Sequence, residues 1–251
     1  MILEADGAEG KPHRRTVRCF LKCSVRYQKG VIFVSDTTVA PSPKRQAQET
    51  RMTRRQPRPR FMMWVDGVGG YLVCMSDEIV IGQAIDQPGA DLPIIGDISR
   101  RHAVIQRQGE SYLIRAEAST RVAGREVTEV RTLTDGDEIE FGASFRVRFR
   151  QPHPLSATSR LDFLSGHRSQ PASDGMLLMA NSCILGPGPN SHVVCRAWSE
   201  DLVLVRQGQQ LRCHGRQMLE IDGQEVGRKG EITLDSRITG EDFCLSLERF
   251  D

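Results

Sequence analysis

The feature that most constrains the fold is a series of short β-rich runs that begins at Phe61. The runs are FMMWV, YLVCM, EIVIG, HAVIQ, SYLIR, EIEFG and FRVRFR, and turn-forming stretches such as DGVGG and TDGDE separate them. Several runs alternate polar and apolar residues, which is typical of a strand with one face in water and one in a core. Short strands at this spacing, without helical periodicity, predict an all-β sandwich.

The pattern then repeats along the chain. The tripeptide RQG occurs at 107–109 and again at 206–208, a separation of 99 residues. Three further pairs lie at the same separation: Gly124 with Gly223, Val127 with Val226 and Ile139 with Ile238. After a deletion of one residue, Val147 matches Leu245 and Phe149 matches Leu247. Residues 151–173 are rich in proline and serine and are predicted to be a linker. We therefore expect two tandem antiparallel β-sandwich domains, 61–150 and 174–251, with one continuous large sandwich as the alternative.

Residues 1–60 differ from the rest in composition. They carry fourteen Lys and Arg against five Asp and Glu, whereas the rest of the chain carries 20 basic and 27 acidic residues. Residues 40–60 are rich in Pro, Arg and Gln, so we expect 1–60 to be a disordered basic arm. The RRQPRPR stretch lacks the interleaved aromatic residues that stack on bases. A solubilising linker, or an arm on the acidic body, is therefore favoured over nucleic-acid binding.

Composition also bears on compartment and cofactors. No run approaches the ~18–20 apolar residues of a membrane span, and the acidic start MILEADG is atypical of a secretion signal. The seven cysteines are irregularly spaced, and Cys19 and Cys23 lack a second ligand pair that would complete a zinc site. We expect a cytoplasmic protein with reduced, mostly buried thiols, no metal and no cofactor.

The run ISRRHAVI (98–105) places Ser99 three residues before His102, which raises the question of a catalytic pair. No G-x-S-x-G elbow is present, and only Asp135 and Asp137, in an ordinary turn, could orient the histidine. The GPGPNS stretch fails as a phosphate cradle because its two prolines lack amide donors. We therefore expect that the chain is not an enzyme.

Four separated motifs carry a resemblance to a known family. In order, IVIGQ, ISRRHAVI, VAGREV and LTDGDEIEFG resemble the forkhead-associated (FHA) domain over about residues 61–150. The resemblance implies a sandwich of two antiparallel sheets whose loops at one end bind phosphothreonine peptides. It also implies that Ser99 contacts the phosphate and that Gly82, His102 and Gly124 are structural. The implied partner is a phosphorylated protein, either a Ser/Thr kinase or its substrate.

Two departures from the family pattern bear on the site. Gln83 stands where the family has an arginine, and losing that charge-assisted bond would weaken phosphopeptide affinity roughly ten- to a hundredfold. The following binding loop is shortened, so that it keeps Thr120 but lacks both of the family's asparagines. We predict that the site is lined by Ser99, Arg100, Gln83, Thr120 and Arg121. In an alternative interpretation, Arg100 and Arg121 are solvated surface residues that take no part in binding. The alternative function is a scaffold that kept the fold and lost phosphate binding.

The second copy is predicted to be degenerate. At the 99-residue separation, SRRH corresponds to Trp198, Ser199, Glu200 and Asp201. The two acids would repel phosphate, so we expect residues 174–251 to keep the scaffold without a phosphate site. Trp198, like Trp64, is predicted to pack in a core or between domains.

Overall fold

A computed structural model describes residues 60–85, 89–153 and 155–250. These residues form strands, turns and loops and contain no helix, so the predicted all-β fold class is confirmed. The expected basic arm lies outside the described residues, apart from Arg60. Likewise, the part of the chain that the structure describes contains no helix that could span a membrane.

The described residues between 60 and 150, the first half, contain eleven strands, and each predicted run from FMMWV to FRVRFR lies mainly in one of them. Their bounds are β1 (Arg60–Val65), β2 (Gly69–Cys74), β3 (Glu78–Gln83), β4 (Leu92–Ile95), β5 (Ala103–Gln108), β6 (Ser111–Ala116), β7 (Thr120–Val122), β8 (Arg125–Glu126), β9 (Val130–Leu133), β10 (Glu138–Phe141) and β11 (Phe145–Arg150). The sequence pattern missed β4 because its four residues, LPII, contain a proline and are too few to show alternation.

Ten strands follow in the second half. Their bounds are β12 (Ser159–Phe163), β13 (Arg168–Ser169), β14 (Gly175–Leu178), β15 (Ser182–Gly186), β16 (Val193–Val194), β17 (Leu202–Gln207), β18 (Gln210–Ile221), β19 (Gln224–Ile232), β20 (Arg237–Thr239) and β21 (Cys244–Arg249). Most neighbouring strands are antiparallel, and the pairs β3–β4, β15–β16 and β2–β14 are parallel.

A β-sandwich surrounds the first core. One sheet has the order β13-β4-β3-β5-β6-β9, and strands β14-β12-β11-β10-β7-β8 lie in the other. Apolar side chains from both sheets pack together, including Ile81 and Ile105 from one and Phe141, Val147 and Phe149 from the other. Burial of these large side chains, about 1.5–3 kcal/mol each, is the main stabilising contribution in this half.

A second core lies in the other half, where the strand order β16-β15-β17-β18-β20-β21 continues into β1 and β2. Its buried residues include Leu202, Leu204 and Leu245 from the second half, together with Phe61 and Met63 from β1. The first strand of the described residues therefore contributes to the core formed by the last ones.

The two halves exchange their opening strands in a reciprocal way. Strand β11 pairs with β12, with Phe149 opposite Leu161. Strand β21 pairs with β1, with Leu247 opposite Met63. Strands β2 and β14 then pair in parallel and join the two sets. Each half thus completes its sheet with strands from the other, so the described residues form one continuous 15-stranded sheet next to a six-stranded one.

This exchange places strands where the sequence predicted only a linker. Within residues 151–173, β12 fills the position beside β11, and β13 pairs with the edge of β4. The prolines and serines around β12 led to the linker prediction, although the strand contains apolar residues. One of them, Leu161, is fully buried in the first core. The described residues also fall in a single compact unit, so two separable domains stay a prediction.

The tryptophans and cysteines occupy different environments. Trp198 is buried, as predicted, whereas Trp64 is 40% exposed, covers Gly70 and donates from Nε1 to Glu248 at 2.8 Å. All five cysteines in the described ranges are free thiols, and only Cys244 is not buried. Most of these thiols are thus buried, as expected, and their reduced state stays a prediction; Cys19 and Cys23 lie outside those ranges. Burial raises the pKa of Cys183 to about 12, so that thiol is unreactive near neutral pH.

Candidate functional site

The loop between β4 and β5, residues 96–102, lies beside the end of β3. Backbone hydrogen bonds hold it in place: the Gln83 amide donates to the Ser99 carbonyl at 3.0 Å, and the His102 amide donates to the Ile81 carbonyl at 2.8 Å. The Ser99 side chain is exposed, and its hydroxyl has no hydrogen-bond partner among the described residues. Because the backbone fixes the loop, this hydroxyl is positioned and available to a ligand.

Gly82 allows the loop to approach β3 closely. A Cβ atom at this position would overlap the backbone carbonyl of Arg100. Any side chain here would push the loop away and break the bond between Gln83 and Ser99. This geometry supports the predicted structural role of Gly82.

The His102 side chain is 3% exposed and uses both ring nitrogens within the protein. Nδ1 accepts from the backbone amide of Ser99 at 3.1 Å, and Nε2 donates to the carbonyl of Ser119 at 2.8 Å. The ring packs edge-on against Phe141, with centroids 5.7 Å apart. His102 therefore ties the β4–β5 loop to the β6–β7 loop, and neither nitrogen is left to take a proton from the Ser99 hydroxyl.

Gln83 lies at the end of β3, where the loops meet. Its Nε2 donates to the carbonyl of Gly96 at 3.2 Å, so the side chain supports the start of the β4–β5 loop. The amide carries no charge and one of its donors is already used. Gln83 is thus placed next to the site, but it cannot replace a phosphate-binding guanidinium.

The arginines around Ser99 differ in their partners. Arg101 forms an ion pair with Glu117, with Nε 2.7 Å from Oε2, and Arg115 contacts the same carboxylate at 3.0 Å. Arg100 is exposed, and its guanidinium has no ion pair within the described ranges. The charge of Arg101 is therefore compensated, and Arg100 is the neighbour of Ser99 whose charge is available.

The remaining predicted residues, Thr120, Arg121 and Gly124, lie in β7 and in the turn that follows it. Thr120 is 1% exposed, and its Oγ1 donates to the carbonyl of Ala118 at 2.9 Å, so it does not line an open site. Arg121 is exposed on β7, where Nη1 lies 3.9 Å from Glu140 Oε2. Gly124 occupies the β7–β8 turn with φ of +73°, a conformation that favours glycine.

Sequence reasoning missed one neighbour of the site, His167. In the β12–β13 connection, its Cδ2 lies 2.7 Å from the position that a Cβ on Gly96 would occupy. Its Nε2 is 3.3 Å from Ser144 Oγ, and its Nδ1 is 2.9 Å from Ser165 Oγ. Because the expected linker is instead part of the first sandwich, only the strand exchange reveals that His167 lies beside Gly96.

In the second half, the corresponding loop packs a large side chain into the core beneath it. Trp198 is buried and stacks on Phe243, with ring centroids 4.5 Å apart. The Ser199 amide donates to Asp242 at 2.5 Å, and a Cβ on Gly186 would overlap the carboxylate of Asp201. Trp198 and Ser199 therefore stand where the first half presents Ser99 and Arg100, and the acidic side chains of Asp201 and Asp242 lie beside them. The described residues contain no group of three or more His, Cys, Asp or Glu that could hold a metal ion.

Comparison with known proteins gives one family match. The model of the FHA domain matches residues 79–142, a range that includes β3, the β4–β5 loop and β7. A search of curated proteins gave no significant match.

Several solved structures are similar to parts of the chain. One, from a study of phosphothreonine-dependent FHA domain interactions, is 26% identical, covers 39% of this chain and all of its own, and has a TM-score of 0.29. The FHA-2 domain of the Mycobacterium tuberculosis ABC transporter Rv1747 is 22% identical, with coverage of 46% and 89% and a TM-score of 0.25. The N-terminal FHA domain of EssC, from a bacterial type VII secretion apparatus, is 10% identical, with coverage of 75% and 92% and a TM-score of 0.21.

The family match agrees with the four sequence motifs and with the loop geometry around Ser99. The close approach at Gly82 and the tie made by His102 both fall within the matched range. Residues 79–142 are therefore an FHA domain, a member of a family of non-catalytic, phosphothreonine-binding protein-interaction modules.

Proposed function

We propose that this chain recognises phosphothreonine-containing or other acidic protein segments through the FHA domain, in Ser/Thr kinase signalling. One observation carries the proposal: an exposed Ser99 hydroxyl on a fixed loop lies next to Arg100, whose guanidinium has no ion pair among the described residues. A phosphate group carries about −1.5 to −2 charges and three acceptor oxygens, so it needs such a hydroxyl and such a cation.

The binding partner follows from the same chemistry. It is a phosphorylated protein, either a Ser/Thr kinase or one of its substrates, and the proposed location is the cytoplasm. The free thiols of the described cysteines support a reducing compartment. Affinity depends on Arg100, because Gln83 supplies no charge and holds Gly96 instead.

A second candidate function is a scaffold that kept the FHA fold without phosphate binding. Its support is that several predicted ligands are used internally. Thr120 donates to Ala118, and Arg121 lies near Glu140. Such a scaffold would associate with partners through its sheet faces and would not distinguish a phosphorylated partner from an unphosphorylated one.

Titration of the full chain separates the two functions. A degenerate phosphothreonine peptide pool and its unphosphorylated twin are titrated in parallel at two salt concentrations. We expect phosphate-dependent binding that weakens with salt and falls about ten- to a hundredfold in Ser99→Ala. Ser111→Ala is the matched control, because Ser111 is an exposed serine at the turn that begins β6. It is expected to leave binding unchanged.

The Gln83→Arg variant tests whether the site is weakened by its missing charge. Restoring a guanidinium beside Ser99 is expected to raise phosphopeptide affinity about tenfold. Equal binding of both peptide pools, or no binding of either by the full chain and by Gln83→Arg, would reject phosphate recognition and favour the scaffold.

A further inference from the structure

The connection between β12 and β13, Ser165–Arg168, lies against the loops of the FHA domain although it is outside the matched residues 79–142. The strand exchange places it there, because β12 pairs with β11 and β13 pairs with β4. Its His167 contacts Gly96 of the β4–β5 loop, which carries Ser99, and Ser144 of the β10–β11 loop.

Contacts link His167 to Ser99 through two residues. The imidazole packs on Gly96, whose carbonyl accepts from the Gln83 side chain. The backbone amide of Gln83 in turn donates to the Ser99 carbonyl. His167 is therefore separated only by Gly96 from the side chain of Gln83. At that position the FHA family has its phosphate-binding arginine, whereas this chain has a neutral amide.

The hydrogen bonds around His167 determine which nitrogen is a donor. The Ser165 hydroxyl oxygen accepts from the Arg146 amide at 3.1 Å, so its own hydrogen is free to donate to His167 Nδ1. The neutral ring then carries its hydrogen on Nε2, which lies 3.3 Å from the exposed Ser144 hydroxyl. This long contact leaves an N–H and an O–H that a ligand oxygen can engage.

Arg168 adds a charge at the same edge. It is exposed on β13 directly opposite Ile95, and no ion pair involves it in the part of the chain described. The neighbouring acid is Asp97, an exposed residue of the β4–β5 loop. Arg168 adds one positive charge to an edge whose loop carries that carboxylate, and an anion requires such a charge.

We propose that Ser165–Arg168 is part of the phosphopeptide site, with the His167 Nε2–H as a phosphate donor and Arg168 as the second cation beside Arg100. The inference rests on the proposed function. His167 and Arg168 would supply the hydrogen-bond donor and the positive charge that Gln83 lacks. Recognition by the FHA domain would then depend on a segment outside the family match.

The test measures phosphothreonine-pool and unphosphorylated-pool binding for the full chain and three variants. His167→Phe keeps a ring on Gly96 and Phe145 but removes both nitrogens, and is expected to weaken phosphopeptide binding about tenfold. Arg168→Ala is expected to weaken it about threefold and to reduce its salt dependence. Arg228→Ala is the control, because it removes an exposed arginine from β19 and is expected to have no effect.

The outcomes separate this inference from the function on which it rests. If Ser99→Ala loses binding while His167→Phe and Arg168→Ala stay within twofold of the unchanged chain, the segment is outside the site and the inference alone is overturned. If the full chain shows no phosphate-dependent binding, both are overturned. Melting curves check the fold of His167→Phe, and Arg168→Ala still decides the question if that variant unfolds.

Discussion

The two halves of the molecule carry side chains of contrasting chemistry on corresponding loops. In the first half, Ser99 is exposed and its amide is held by His102. In the second half, the corresponding Trp198 is buried on Phe243, and the next amide is held by Asp242. One loop presents a hydroxyl and a cation to solvent, and the other fills its own cavity with an indole and surrounds it with acids.

The difference separates what the fold requires from what binding requires. Both halves keep a glycine where the loop crosses the strand, Gly82 and Gly186, because a side chain would collide with the loop in either place. The residues at the tip are independent of that requirement. The frame of the loop is therefore preserved in both halves, whereas an exposed serine next to an arginine without an ion pair stands on the loop of the first half and not at the corresponding positions of the second.

Separating the halves would test whether they are independent copies, and the largest effect is expected here. We expect residues 60–151 and 155–251 to lack a cooperative melting transition when expressed alone and to regain it when mixed. The first fragment loses Leu161, Met176 and Leu178 from its core. At about 2–5 kcal/mol each, that loss is comparable with a typical domain stability of about 5–15 kcal/mol. A cooperative transition of 60–151 alone, measured by circular dichroism, would show that the exchange is dispensable.

Alanine at the two loop glycines would sharpen the comparison. In Gly82→Ala the new Cβ meets the carbonyl of Arg100, which cannot move without breaking the bond from Gln83 to Ser99. We expect a loss of about 3 kcal/mol in the free energy of unfolding. In Gly186→Ala the nearest atoms belong to the Asp201 side chain, which can rotate, so the expected loss is smaller, about 1 kcal/mol. Urea denaturation of both variants measures the difference, and equal losses would contradict it.

Much of the first half could be predicted from sequence because its signals are local. Alternation identified the strands, and spaced motifs indicated Gly82 on β3 together with Ser99 and His102 on the loop that crosses it. The burial of Thr120 could not be predicted in the same way. A threonine in a binding loop and one that donates to Ala118 look alike in sequence, since the difference lies in which way the chain turns.

The exchange itself depends on partners far apart along the chain. The run RLDFL at 160–164 repeats the position of β1 at nearly the same 99-residue separation, and that signal was available. The pairing of β12 with β11 on one side, in addition to β14 of its own half on the other, could not be predicted, because an apolar Leu161 suits the core of either half. The position of His167 beside Gly96 follows from that pairing alone, so local sequence patterns carried no sign of it.

Two buried histidines extend the comparison to acid stability. His102 has both ring nitrogens bonded. His192 accepts at Nδ1 from the Ile184 amide at 2.9 Å, and its buried Nε2 has no hydrogen-bond partner among the described residues. Burial lowers the pKa of His192 from 6.5 to about 4, and repulsion from His153 and Arg160 adds to that effect.

The lowered pKa of His192 predicts that stability falls as the pH drops. Between pH 6.5 and about 4 the unfolded chain binds a proton that the folded chain does not, so this contribution is full above pH 6.5 and is lost on acidification. We expect His192→Asn, which keeps an acceptor for the Ile184 amide, to lose about 2 kcal/mol less than the unchanged chain between about pH 7 and about pH 5. His214→Asn, at an exposed histidine of β18, is the control, and urea denaturation at both pH values gives the comparison. If the pH dependence of stability is the same in His192→Asn as in the unchanged chain, the fold accepts the protonated form of His192 and the prediction is wrong.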